Sequence, residues 1–361
     1  MTEPLLFSAA PVFSVAGQVR GELARDLLSL EIEEANDGLK SLRARFLAFG
    51  PDAGSAEERL LYLDGAIFDF GTTIAVSLGP AAQARTLFEG KVSALEASFE
   101  EGREPAVTIY AEDALMDLRM TRRMRTYTQM SDADIATAIA GEHGLTPRVD
   151  AEGPTYDVVQ QWNMSDLAFL RERGRLIQAE IHLAQGQLFF ESRSRRRGTE
   201  LTLVRGNELI AAWLKAALAH QRTAVRISGY DAQSRSKIDE EAGSAAIDAE
   251  ITSGRSGVAV LERAFGPRIS HRVREVPLTS GEAADWARFE MLRRARSFVQ
   301  VAGITRGSPE LEVGSRLTLE RVGTPFTGGG YVVTRVAHTY DLHEGHRTRF
   351  EAERPTITEG P

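Results

Sequence analysis

Hydrophobic and polar positions alternate over long stretches near both ends of the chain. Leu28, Leu30 and Ile32 are interleaved with Ser29, Glu31 and Glu33, the period-two pattern of a strand with one face buried. Residues 10–15, 42–49, 67–70, 74–78 and 88–99 also read as strands, with a turn-rich loop over residues 50–58. Together they predict an all-β unit of about a hundred residues, the size of a small barrel or sandwich. The last long stretch, residues 311–354, reads as strand, glycine-rich turn, strand, turn, strand. Val313, Leu317 and Leu319 precede a break at residues 324–330. Tyr331, Val333, Val336 and Tyr340 follow it, and Phe350 lies in a further alternating run. Such runs bounded by Gly and Pro are half-buried antiparallel strands.

The two ends echo each other. Val92-Ser93-x-Leu95-x-x-x-Phe99 has the spacing of Val333-Thr334-x-Val336-x-x-x-Tyr340. Each follows a glycine, Gly90 or Gly330, and leads through a charged turn to another strand, at Val107 or Thr348. The combination points to one β unit used twice.

Between the ends the period changes. Residues 111–119 fit a short helix with Leu115 and Leu118 on one side. Ser131 is placed to N-cap an acidic first turn, with Ile135 and Ile139 apolar and Gly144 as the stop. Residues 158–164 are strand-like, and Ser165 starts a second capped helix with Leu167 and Leu170 buried. A hairpin closes at Gln185-Gly186. Residues 201–204 and 223–231 read as strands. Residues 206–221 are open to helix or extended chain, and residues 234–257, small and polar, predict a loosely ordered excursion. Residues 282–297 form a strong helix with Trp286, Phe289, Leu292 and Ala295 in one stripe.

Composition narrows the class. At 361 residues the chain is too long for one typical core. It holds no cysteine, which excludes disulfides and thiolate metal sites. A net charge of −8 argues against nucleic acid as the main partner. The first residues lack the basic segment of a secretory signal, and no apolar run reaches membrane-spanning length. The expectation is a protein made and folded in a cytosol.

Candidate chemistry is sparse. His338, His343 and His346 are potential imidazole ligands, but they lie on a strand and its turn, where alternation is expected to split them between faces. Gly328-Gly-Gly has no following lysine and precedes a strand, so it reads as a turn rather than a phosphate loop. No G-x-S-x-G elbow is present, and no carboxylate pair stands out. The basic run at residues 192–198 reads as a solvated turn or a contact to an acidic partner subunit in preference to a nucleic-acid contact, and the run at 120–125 likewise as a solvated turn. No catalytic, cofactor or metal residue is assigned.

A resemblance covers residues 85–355. Val158-Val-Gln-Gln-Trp-Asn-Met-Ser-Asp-Leu-Ala-Phe-Leu-Arg resembles a signature of the phage late control gene D family. The hairpin ending Gly186-Gln-Leu-Phe-Phe, the strand Val225-Arg-Ile-Ser-Gly-Tyr-Asp and the closing Gly330-Tyr-Val-Val-Thr-Arg-Val-Ala-His follow in that family's order. The resemblance implies a baseplate hub of a contractile tail or injection system, similar to the N-terminal part of VgrG spikes. It implies an α+β, mostly β fold, with two tube-like antiparallel β-barrels and an inserted α+β domain. The expected division is a first barrel over 1–106 and an α+β domain over 107–195. The second barrel takes 196–235 and 302–355, an insertion packing with the α+β domain takes 236–301, and 356–361 is a tail.

The implied partners are two further copies in a homotrimer, a six-fold inner tube protein, other baseplate proteins and a spike. Because the sequence stops soon after the closing strand, the spike is expected to be a separate polypeptide docking near residues 355–361. No nucleic acid, membrane span or cofactor is expected. Three chains with two similar barrels each offer six similar faces, which adapts a three-fold spike to a six-fold tube. The alternatives are a tail-tip cell-wall hydrolase, which needs an acid/base pair or metal in a cleft, and a monomeric carbohydrate-binding module.

Overall fold

A computed structural model of the chain describes residues 10–51, 58–79, 84–251, 253–272, 277 and 279–359. The centre of the loop at 50–58 and the last two residues of the tail lie outside the described residues.

The first unit runs β1 (Val12–Val15), β2 (Gln18–Val19), α1 (Gly21–Asp26), β3 (Leu27–Ala35), β4 (Ser41–Leu47), β5 (Phe49–Pro51), β6 (Glu58–Leu60), β7 (Thr73–Leu78), β8 (Arg85–Ser98) and β9 (Ala106–Glu112). Its core collects the inward alternate residues, Ile32, Leu42, Ile74, Val76 and Ile109 among them. Phe13, Phe46, Tyr62 and Phe68 form an aromatic cluster within it. Helices then enter, in the order α2 (Leu115–Met120), β10 (Arg122–Ser131), α3 (Asp132–Glu142), β11 (Thr146–Asp150), β12 (Thr155–Ser165), α4 (Asp166–Ile177), β13 (Ala179–Ala184) and β14 (Gln187–Ser192). Ser131 caps α3 in a full capping box with Asp134, and Ser165 caps α4.

The second unit starts with β15 (Glu200–Val204) and β16 (Leu209–Ala216). An excursion follows: β17 (Ala224–Asp231), β18 (Ser236–Ala242), a 3-10 turn at Ser244–Glu250, β19 (Arg255–Ser256), α5 (Gly257–Phe265), β20 (Ile269–Arg272) and α6 (Ser280–Arg296). The unit then closes with β21 (Val299–Arg306), β22 (Arg316–Glu320), β23 (Gly328–Asp341), β24 (Gly345–Arg354) and β25 (Thr356–Ile357). Trp286 and Phe289 of α6 share one apolar cluster with Ile227 of β17, Phe190 of β14 and Leu170 of α4.

Residues 206–221, where the sequence admits helix or extended chain, hold a strand, β16: Leu209 is buried and Ala211–Ala216 pair with β21. One local expectation needs correction. Residues 234–257 are not loose: β18 pairs with β17 along its length, and Ile238 and Ile247 are buried. The polar residues around Ile238 are the outer face of β18, and Ile247 is the buried residue of the 3-10 turn that follows.

The repeat is a repeat of register as well as of spacing. β8 pairs with β9 and β23 with β24 at a constant offset of 241: Val92↔Ala111 and Val333↔Ala352, Leu95↔Ile109 and Val336↔Phe350, Ser98↔Ala106 and Thr339↔Arg347. Each hairpin slips by one residue at the same point, between Val92 and Ala94 or between Val333 and Arg335. β3 pairs with β4 as β16 pairs with β21, slipping between Leu27 and Ser29 or between Leu209 and Ala211. Bulges twist and bend a ladder locally, so shared bulges give the two units the same curvature. Side chains differ while volume is conserved: Ala44 faces Ile109, and Gly303 faces Phe350, whose ring occupies the space a Cβ would need. In the second unit the β3–β4 turn is replaced by the whole excursion between β16 and β21.

The strand order is β16-β21-β24-β23-β3-β4-β9-β8-β7-β1-β2, with β22 beside β23 and β15 beside β22. The fold is α+β and mostly β, two antiparallel barrel units with α+β structure inserted. They join where Arg335–Asp341 of β23 pair with Ser29–Ala35 of β3.

Candidate functional site

The three histidines are not gathered at one place. His338 is buried on β23, its Nδ1 3.3 Å from Nε2 of His346 and 3.1 Å from Oγ1 of Thr348. These residues share a face because His338 opposes Thr348 and Tyr340 opposes His346. The expected split between faces therefore does not hold for this pair. His343 is separate and exposed in the turn, where Asp341 Oδ1 accepts the backbone N–H groups of His343 at 2.8 Å and Glu344 at 2.7 Å. Among the described residues no group of three His, Asp or Glu is placed to hold a metal. Burial, helped by the adjacent His346, pushes His338 down to about 3; burial and then Arg347 bring His346 to about 4. The glycine run is the first stretch of β23, with Gly328 opposite Leu319, rather than a free turn.

The basic run at 192–198 is not a solvated turn throughout. Arg193 and Arg196 are buried. Arg193 donates to Glu180 of β13 at 3.1 Å and to Glu353 of β24 at 2.6 Å. Arg196 donates to Glu34 of β3 at 2.6 Å, to Glu180 at 3.5 Å and to the Val313 carbonyl at 3.2 Å. Lys40 stands 2.9 Å from Glu34. Burial pushes the Glu34 carboxyl up, but Lys40 and Arg196 outweigh it and hold it below the usual range. Gly314, at φ +92°, leaves room for the Arg196 stem, since a Cβ there would lie 2.9 Å from its Cγ. Two arginines thus clamp the first unit, the second unit and β13 together. Arg195, between them, is exposed against exposed Asp150. A cleft of about 410 Å³ opens beside the clamp, lined by Arg171, Arg175, Arg193, Arg296, Glu180 and Glu353. Arg193 is engaged with Glu180 and Glu353, and Arg296 with Glu250 outside these six, and the six hold no nucleophile–base pair.

The other basic run, 120–125, lies mostly on β10. Arg123 is 2.9 Å from buried Asp166, and Arg125 is 2.5 Å from Glu142. Both are half-buried, so this run is an ion-paired strand rather than a solvated turn.

Two of the sheet edges open among the described residues belong to corresponding places in the repeat, on β16 and on half of β8. β16 pairs with β21 on one side alone. β8 pairs with β7 through Arg85–Lys91 and with β9 through Lys91–Ser98, so the side of Ser93–Ser98 opposite β9 carries no strand. Exposed apolar residues mark both edges: Phe99 is 63% exposed, Trp213 62% and Ile210 46%. An open edge is a template for another strand. The pattern of the repeat held the signal for Phe99, since its counterpart Tyr340 is half-buried against the first unit's core.

These features together define a duplicated sheet, with open edges on β8 and β16, and an internal charged clamp. The fold is that of phage tail proteins. The 43 kDa tail protein of prophage MuSo2 from Shewanella oneidensis superposes with a TM-score of 0.68 at 13% identity, over 96% of this chain and 98% of that one. The tail protein from Neisseria meningitidis MC58 gives 0.65 at 11% identity, over 97% of each chain. An E. coli component of the type VI secretion system, itself structurally similar to T4 bacteriophage tail proteins gp27 and gp5, gives 0.59 at 14% identity, over 93% of this chain and 76% of that one. No curated protein matches the chain in sequence. The chain belongs to the family of the Alg8 N-terminal domain, whose model matches residues 39–341.

Proposed function

We propose that the protein is a structural hub at the tip of a contractile phage tail or tail-derived injection system. Three copies form a ring that joins a six-fold inner tube to a three-fold spike. The observation that carries this reading is the duplicated register, with the same two bulges in each unit. Likeness to tail proteins over nearly the whole chain supports it. A chain with two like units gives a trimer six like faces, so each tube subunit meets an equivalent surface while the spike meets three chains. The role needs stiffness rather than chemistry, and the buried clamp at Arg193 and Arg196 supplies a rigid joint.

The resemblance to the late control gene D family belongs to this proposal. So does the division into 1–106, 107–195, 196–235 with 302–355, 236–301 and 356–361. Three separate apolar clusters favour three bodies, one for each barrel unit and one for the helices, but Val225 and Ile227 of β17 lie in the helix cluster, so residues 224–235 go with the insertion rather than with the second barrel. The proposed partners are the tube protein, a spike and other baseplate proteins, and the place of assembly is the bacterial cytoplasm. Near the tail, Thr356–Ile357 pairs with β19 and Glu359 meets Arg255 at 2.9 Å, which offers the spike an ordered surface.

Labelling tests the reading. An affinity tag on this chain, located by electron microscopy in particles from the native host, is expected at one end of each tube. Labelling along the tube, or particles of normal length when the chain is deleted, would overturn it.

A further inference from the structure

We infer that β16 of one copy pairs antiparallel with the open half of β8 in the next copy, in the register of the internal β3–β23 joint but with its charges reversed. This rests on the hub reading for the number of copies, and on the repeat alone for the joint itself.

Inside the chain, β3 lies on β23 with Glu33 opposite Ala337, Glu31 opposite Thr339 and Leu30 opposite Tyr340. β8 corresponds to β23, and β16 to β3 at an offset of 182 through Leu27 and Leu209. Yet β8 and β16, whose counterparts β23 and β3 form the internal joint, do not meet within the chain, and each keeps an open edge among the described residues. Transferring the internal register places Glu96 opposite Lys215, Ser98 opposite Trp213 and Phe99 opposite Ala212. Each pair answers an observation. Tyr340 packs from β23 into the first unit's core. Phe99, its counterpart, has no such core within its own chain and is left exposed. The joint would lay it against the second unit of the neighbour. Trp213 and Lys215 stand on the same face of β16 beside the edge, and Lys215 makes no ion pair among the described residues.

The charges distinguish the two joints. Inside the chain, β23 contributes the base and β3 the acid, with Arg335 2.7 Å from Glu33. At the open edges β8 contributes the acid, Glu96, and β16 the base, Lys215. A β8 edge offered to β3 would set Glu96 against Glu33, and a β16 edge offered to β23 would bring Lys215 beside Arg335. Opposite charges facing across strands stabilise a pair, and like charges destabilise it. Two edges of the same shape are thus made non-interchangeable. The contact is head-to-tail, so it closes into a ring when the rotation allows.

The chain's lack of cysteine makes the register testable. Glu96→Cys and Lys215→Cys, purified as single variants and mixed at high concentration under mild oxidation, are expected to give a covalent dimer with one of each. Cβ atoms directly opposite across antiparallel strands are close enough for a disulfide, whereas diagonal ones are not. Glu96→Cys mixed with Trp213→Cys is therefore expected to link poorly. Equal linking in both mixtures, or none in the first, overturns the register. Charge reversal at Glu96→Lys is expected to weaken each joint about fivefold, and adding Lys215→Glu to restore it. All three sites are exposed, and unchanged circular dichroism would show that the variants fold. Linking that closes at a number other than three upholds the joint and removes the three-fold hub; a trimer without the 96–215 link does the reverse.

Discussion

Arg196→Ala tests whether the clamp holds the units together. The guanidinium bonds Glu34, Glu180 and the Val313 carbonyl from a buried position. Truncation leaves Glu34 with Lys40 alone and Glu180 with Arg193 alone, both carboxylates still out of water. Removing one partner of a buried ion pair costs about 3–5 kcal/mol, chiefly because the remaining charge is left underpaired. For a chain of 361 residues unfolding as one unit, the entropy of unfolding makes this a fall in Tm of about 5 °C. Arg195→Ala is the matched control, since its pair with Asp150 is exposed and such pairs are worth about 0–1 kcal/mol. Urea unfolding at neutral pH, followed by circular dichroism, reads both. A cost for Arg196→Ala below about 1 kcal/mol, or equal to that of Arg195→Ala, would return the basic run to the solvated turn it resembles in sequence.

Gly303→Ala drives a methyl into the Phe350 ring and is expected to cost about 1–3 kcal/mol. Adding Phe350→Ile copies the first unit's Ala44–Ile109 pair and is expected to recover most of that; a neutral single variant would show that the two units do not pack alike. Ser131→Ala removes a capping box and is expected to lose about 1 kcal/mol in urea unfolding; no loss would contradict the cap. Acid is expected to destabilise the fold through His338. Its folded pKa of about 3 lies below the ordinary 6.5, so its contribution is fully present above 6.5 and lost as pH falls toward 3. By pH 5 about 2 kcal/mol is gone. Asp113, raised by burial to about 6, opposes this with about 1 kcal/mol between pH 6 and 5. A His338→Gln variant is expected to show a flatter stability profile between pH 7 and 5, and an unchanged slope would refute the assignment.

Strand periodicity was legible wherever one face is buried and the other wet. Leu28 to Glu33 and Val333 to Tyr340 read correctly because one face of each is buried, and Val92 to Ser98 reads as a strand although much of it is exposed. The caps at Ser131 and Ser165 were legible because the bond is local. β16 was not: its run Ile210-Ala-Ala-Trp-Leu has Trp213 and Ile210 facing outward at an unpaired edge, so no clean alternation marks it. Arg193 and Arg196 were hidden for another reason. Burial of a basic run depends on Glu34, Glu180 and Glu353, which lie far away in sequence and meet it only in the fold. The shared bulges are also invisible in residue types, since Leu27 and Leu209, or Val92 and Val333, would look the same in unbulged strands. The open edges of β8 and β16 emerge only after every other pairing is known.

The central claim is that one chain holds two equivalent units and that three chains make six. The mass of the assembled ring tests this most directly. Light scattering on the purified chain at high concentration, repeated with the tube and spike proteins present, should give a hub species of three times 39.6 kDa. A species of one, two or four chains that persists with both neighbours bound would contradict it.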